Sequence, residues 1–94
     1  MMTQKEITTA KKKAKEVLKA FNIKVPMTKM CVLFFCHIYK DGCFKKIHFS
    51  FVDVRTHDCY ICDCDNNNYK LTINVKETGK THIFTACKGG KTND

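Results

Sequence analysis

The sequence predicts a two-layer α+β domain, in which one N-terminal amphipathic helix packs on an antiparallel meander of four to five strands. Apolar residues recur at a helical period near the N-terminus and at a period of two after Pro26. The connections between the later segments are short, and short connections favour antiparallel neighbours. A chain of 94 residues is sized for one core, so we expect a single domain over residues 1–94.

The first segment is predicted to be a helix over about residues 4–21. Thr3 and Glu6 have the spacing of a capping box, which would start the helix. Asn22 can close the helix, and Pro26 prevents its continuation. The apolar stripe that would face the sheet consists of Ile7, Ala10, Ala14, Val17, Leu18 and Phe21.

Strands are predicted at about residues 30–39, 44–54, 59–64, 70–76 and 81–87, followed by a tail at 88–94. The first of them is apolar on both faces, which predicts a central strand buried on both sides. The turn-forming sequence Asp41-Gly42 follows it as a hairpin signal. Further turns are predicted at 56–58, in the Asp- and Asn-rich loop 63–68, and at 77–80.

The second strand indicates which sheet face the helix covers. Ile47, Phe49 and Phe51 share one side of this strand and are expected in the core. The uncovered face would be polar, so it is either exposed to solvent or a docking surface. It could also pair with the same face of a second copy, so the protein is expected to be a monomer or a homodimer. We expect this uncovered face to carry Lys46, His48, Ser50, Lys70, Thr72 and Asn74.

The charge balance favours an anionic partner. The chain contains 17 Lys and Arg against 9 Asp and Glu, a net charge of +8. Polyanions are the usual partners of such a surface, although solubility alone also explains a basic composition. Only Arg55 is an arginine, and arginine is the residue that reads guanine edges. Contact with backbone phosphates is therefore favoured over base-specific recognition.

The first functional hypothesis is a small, non-enzymatic binding module that engages nucleic acid or a nucleoprotein complex through a Lys-rich helix and sheet face. Counterion release would favour phosphate contact by the clustered lysines. A solvated helix face is the alternative interpretation of the same lysines. The candidate nucleic-acid-binding residues are Lys5, Lys11, Lys12, Lys13, Lys15, Lys19, Lys46, His48 and Lys70.

The seven cysteines are interpreted as free thiols in a reducing, cytoplasmic location. No apolar stretch precedes the first lysines, so no signal peptide is expected, and no apolar run approaches the length of a membrane span. We expect no metal or cofactor, and a zinc-stabilised structural domain is the alternative. The spacing of its candidate ligands along the chain resembles that of zinc sites, and these ligands are His57, Cys59, Cys62 and Cys64. A strand would place Cys59 on the opposite face from Cys62 and Cys64.

No sequence motif selects a catalytic site. The four histidines and the cysteines could form a nucleophile–base pair, but their spacing favours no particular pair, so an enzyme is not expected. The alternative to nucleic-acid binding is a small inhibitor or adaptor of the kind that viruses and phages encode. Such a protein would dock on a larger host protein or complex, with no role for a membrane.

Overall fold

The computed structural model describes residues 2–40, 43–65 and 67–87, and it confirms the α+β architecture. The five strands form one open sheet in which every neighbouring pair is antiparallel, in the order β1-β2-β3-β4-β5. The predicted Asp41-Gly42 turn and the tail 88–94 lie outside the described residues. The elements are α1 (Gln4–Ala20), a 3₁₀ turn (Met27–Lys29), β1 (Met30–Lys40), β2 (Cys43–Asp53), β3 (Cys59–Asp65), β4 (Asn68–Asn74) and β5 (Thr81–Cys87).

The helix begins at the predicted capping box. The Thr3 hydroxyl accepts a hydrogen bond from the Glu6 N–H at 3.1 Å, and Glu6 Oε1 accepts one from the Thr3 N–H at 2.9 Å. Both bonds occupy N–H groups that the first helical turn leaves without partners. Within residues 2–40, 43–65 and 67–87, no helix combines the length and the apolar character that a membrane span requires.

The core lies between α1 and one face of the sheet, as the sequence predicts. Ile47, Phe49 and Phe51 of β2 are all buried, and Phe51 stacks on Tyr60 of β3 with ring centroids 4.7 Å apart. Beyond α1, the Phe21 ring meets Phe84 of β5 edge-on at 5.7 Å. Other buried residues of this core, from the helix and from β3 and β4, include Ala10, Ala14, Val17, Leu18, Cys62, Cys64, Tyr69, Leu71 and Ile73.

The predicted central position of the first strand was wrong. Because consecutive strands are joined by short connections, the first strand of this meander lies at an edge, and β1 pairs only with β2 among the described strands. The register also shifts between Val32 and Phe34, so Phe34 pairs with the outward-facing Ser50. Leu33 and Phe34 are consequently 52% and 47% exposed. The apolar character of β1 therefore reaches the surface.

The predicted loop 63–68 is shorter than expected, because β3 continues to Asp65 and β4 begins at Asn68. One oxygen of the Asp65 carboxylate accepts the N–H groups of Asn67 and Asn68, at 2.7 and 2.6 Å. These two bonds hold the pKa of Asp65 below its usual value. The hydrogen bonds of the Asp65 carboxylate therefore shorten the predicted loop, and the outer residues of that loop belong to β3 and β4.

A buried carboxylate anchors the connection between β2 and β3. Asp53 is the last residue of β2 and is 2% exposed. Arg55 donates to both of its oxygens, from Nε at 3.0 Å and from Nη2 at 2.7 Å, and the Arg55 N–H adds a third bond at 2.9 Å. The side-chain hydrogen bonds from Arg55 lower the pKa of Asp53 despite its burial.

Replacing Asp53 with Ala is expected to destabilise the domain at neutral pH by about 2 kcal/mol, because hydrogen bonds to a buried charged group are lost. In a domain of this size the melting temperature should fall by about 10 °C. A carboxyl with a lowered pKa contributes stability that is complete above its unfolded pKa of about 3.9. That contribution is lost as pH falls through the folded-state pKa. Thermal unfolding of both proteins across this pH range measures the difference.

Glu77→Ala is the matched control for this measurement, because Glu77 is an exposed carboxylate in the turn before β5. It should leave the melting temperature within the range of ordinary surface substitutions. A stability difference between wild type and Asp53→Ala that persisted unchanged into strong acid would contradict the assigned role of the ionised Asp53.

Candidate nucleic-acid interface

The outward face of α1 carries a line of exposed lysines. Successive helix residues are rotated by about 100°, so Lys5, Lys12 and Lys19 recur every two turns on the side opposite the core stripe. Lys15 lies beside this line, one turn before Lys19. All four side chains are exposed, and the line from Lys5 to Lys19 is about 21 Å long. We call these four residues the lysine ridge.

The other two helix lysines of the candidate set, Lys11 and Lys13, are half-buried at the flanks of the helix. Lys13 Nζ forms an ion pair with Glu16 Oε1 at 3.1 Å. The Tyr69 hydroxyl of β4 donates to the other Glu16 oxygen. Burial and this carboxylate both raise the pKa of Tyr69, so the phenol remains a donor. Glu16 is therefore engaged at the Lys13 flank, and no ion pair among the described residues includes a lysine of the ridge.

The positive charge of the protein is concentrated in the helix layer. Residues 1–29 contain eight Lys and two Glu, a net charge of +6 out of the total of +8. The remaining 65 residues contain nine basic and seven acidic side chains and are almost neutral. The electrostatic field of the domain therefore has its positive side at α1.

The sheet residues of the candidate set lie on the opposite side of the molecule. Lys46, His48 and Lys70 belong to the outer face of the sheet, as the sequence predicts. Each has an acidic neighbour across the strands. Lys46 is opposite Asp65, Lys70 is opposite Asp63, and His48 Nδ1 contacts Asp63 Oδ1. The structure thus separates the nine candidate residues into three groups: the lysine ridge, which forms no ion pair among the described residues, the flanking Lys11 and Lys13, and a charge-balanced sheet face.

The candidate zinc ligands are separated by the strand geometry. Cys62 and Cys64 are buried on the inner face of β3, whereas Cys59 is half-buried on the outer face. His57 lies before the strand in an exposed turn, with a left-handed φ of 68°. In the described part of the chain, no group of three or more His, Cys, Asp or Glu side chains is arranged to hold a metal ion.

The strand register aligns three polar side chains in a row across the outer face of the sheet, and no sequence motif indicates this row. Cys36, His48 and Asp63 are consecutive cross-strand partners on the outer face of β1, β2 and β3. His48 is held by Asp63 on one side, and its ring meets Phe34 edge-on at 5.5 Å. The Cys36 thiol donates to the main-chain oxygen of His37 at 3.5 Å. Strand alternation could have placed these residues on one face, but their register depends on the shift within β1.

The cysteines are expected to react with iodoacetamide in an order set by burial. Cys31 and Cys87 are exposed and should be modified first, whereas Cys62 and Cys64 are buried. Burial raises the pKa of the Cys62 thiol far above neutral, so almost no thiolate forms there. Peptide mapping by mass spectrometry gives the rate at each position. Unfolding in urea should make the rates similar, and native-state modification of Cys62 as fast as that of Cys31 would contradict the fold.

Comparison with known proteins gives no match to this chain. No family model matches it, and neither the curated proteins nor the solved structures include one that resembles it at a significant level.

Proposed function

We propose that this protein is a small, non-enzymatic module that binds the phosphate backbone of nucleic acid through the lysine ridge of α1. The single observation that carries the proposal is the lysine ridge, four exposed lysines that extend about 21 Å along the layer that holds most of the net charge. Lysine ammonium groups contact phosphates as point charges, without the bidentate base recognition typical of arginine. The module therefore has weak sequence preference.

The length of the lysine ridge is well suited to a nucleic-acid strand. Phosphates follow one another every 3.4 Å along the axis of a duplex strand, so a line of about 21 Å faces about six of them. If each ridge lysine neutralises one phosphate, log affinity falls with log salt at a slope of about −3.6 on duplex DNA and about −2.8 on a single strand. Raising the salt concentration fourfold should then weaken binding about 150-fold and about 50-fold, respectively.

Fluorescence anisotropy with labelled single-stranded RNA, double-stranded RNA and duplex DNA tests this proposal. Each titration is made at about 50 mM and at about 200 mM monovalent salt, where phosphate-dominated binding changes strongly. We expect binding to at least one ligand, with the steep salt dependence given above. Absence of binding to all three ligands at the lower salt, or binding that does not respond to salt, would overturn the proposal.

A second candidate is docking on a protein as an inhibitor or adaptor, and the exposed apolar edge of the sheet favours it. Leu33 and Phe34 of the edge strand β1 are both about half exposed. An edge strand also offers unpaired main-chain groups to a strand of another protein. Such a complex would survive high salt and the loss of the lysine ridge, but it would be lost when Leu33 and Phe34 are both replaced with Asp.

A further inference from the structure

A pocket of about 340 Å³ lies at the C-terminal end of α1, where the lysine ridge ends. This volume is within the range of small-molecule sites. Its surface is mainly apolar, and its mouth carries basic side chains. The residues that line it are Leu18, Ile23, Val25 and Pro26, with Lys15, Lys19, Asn22 and Lys24.

The wall of this pocket is formed by the hydrogen bonds that end the helix. Asn22 has a left-handed φ of 58°, which reverses the chain direction after α1. The Ile23 N–H donates to the Leu18 carbonyl at 2.9 Å, and the Asn22 N–H donates to the Lys19 carbonyl at 3.1 Å. These two bonds constitute a Schellman motif. Because they hold Ile23 beside Leu18, the apolar wall exists before any ligand binds.

The charges at the mouth indicate what kind of ligand fits. Lys15 and Lys19 belong to the lysine ridge and are one helical turn apart, while Lys24 lies beyond the end of the helix. The described lining includes no carboxylate. Two carbonyls at the helix end already accept hydrogen bonds, so they oppose an anion less than bare carbonyls would. The pocket is therefore complementary to an apolar group that is flanked by negative charges.

We propose that the pocket takes one unpaired base of a single-stranded nucleic acid, whose neighbouring phosphates lie on Lys15, Lys19 and Lys24. This inference rests on the proposed function and names single strands as the preferred ligand. A base in a duplex is stacked and paired, so its flat face cannot contact Ile23 and Pro26 on the pocket wall. The polar edge of an unpaired base would face the mouth, where Asn22 and the lysines provide hydrogen-bond donors.

The test uses the intact protein and strands that differ only in their bases. Labelled oligo(dT) is compared with a strand of equal phosphate number in which every nucleotide is abasic, because a single abasic position could be avoided by sliding. We expect the abasic strand to bind about tenfold more weakly or worse, since burial of one base face against aliphatic side chains contributes about that much. Both strands should show the same salt slope, because the phosphate contacts are unchanged.

A pair of variants checks the location of the contact. Ile23→Ser removes apolar surface from the pocket, and Ile83→Ser makes the same change at an exposed position on β5. We expect Ile23→Ser to lower affinity for oligo(dT) severalfold with little effect on the abasic strand, because apolar contact area is lost, and Ile83→Ser to lower neither. A melting curve for each variant shows whether the fold is retained.

The possible failures are distinguishable. If oligo(dT) and the abasic strand bind equally with a steep salt slope, the lysine ridge binds phosphates and the base pocket is overturned. Tighter binding to duplex DNA than to oligo(dT) also overturns it. If neither strand binds at low salt, the proposed function fails together with this inference.

Discussion

Replacing Lys12, Lys15 and Lys19 with Glu is expected to weaken nucleic-acid binding about 100-fold or more at physiological salt, while the domain remains folded. The three side chains are exposed, and none is in an ion pair among residues 2–40, 43–65 and 67–87. Each lost phosphate contact removes its share of released counterions, so the magnitude of the salt slope should decrease by about 2.7 on duplex DNA and about 2.1 on a single strand. Exposed substitutions of this kind usually change stability by about 0.5 kcal/mol or less each. Anisotropy titrations and thermal unfolding measure the two effects.

The matched control changes the net charge by the same amount at another place. Lys70, Lys76 and Lys80 are exposed lysines of β4 and of the turn that follows it. Replacing these three with Glu should weaken binding much less, because the residues lie outside the helix layer that carries the lysine ridge. An equal loss in the two triple variants would mean that net charge, and not the lysine ridge, determines binding.

The helix was predictable because the signals that define it are local. The capping box joins Thr3 and Glu6, three positions apart, and Asn22 ends the helix through bonds within a single turn. The buried stripe follows from the helical period alone. The same period placed Lys12 and Lys19 on the outer face, so most of the lysine ridge could be identified from the sequence.

The position of β1 was not predictable from its own residues. An apolar run on both faces is typical of a buried strand, but the strand order of a meander places its first strand at the edge. The register shift after Val32 also turns Phe34 outward, and no sequence signal in β1 marks that shift. The partner with which a strand pairs depends on residues far away in the sequence, so the local composition of the strand does not determine it.

The site was only partly predictable for the same reason. Contact between Glu16 and Tyr69 joins residues 53 positions apart, so the sequence could not distinguish the engaged Lys13 from its exposed neighbours. The pocket likewise needs Val25 and Pro26 to lie near Leu18, which depends on the path of the chain after the helix. Local patterns identified the charged surface, and the three-dimensional arrangement selected which of its residues can act together.

Replacing Phe49 with Ala is expected to lower the free energy of unfolding by about 3–5 kcal/mol, because the ring is completely buried between the sheet and the rest of the core. Domains of this size are stable by only about 5–14 kcal/mol, so this single change removes a large share of the total. The melting temperature should fall by about 15 °C or more. Urea unfolding followed by circular dichroism measures the change directly.

Phe34→Ala is the decisive comparison, because the same residue type is removed from the same sheet on the opposite face. Phe34 is 47% exposed and meets the His48 ring edge-on, so its loss should cost about 1 kcal/mol or less. If a second layer covered the outer face of the sheet, Phe34 would be buried and the two variants would be similarly unstable. A large difference between them supports an open outer face, and that open face leaves the apolar Phe34 side chain available to a partner.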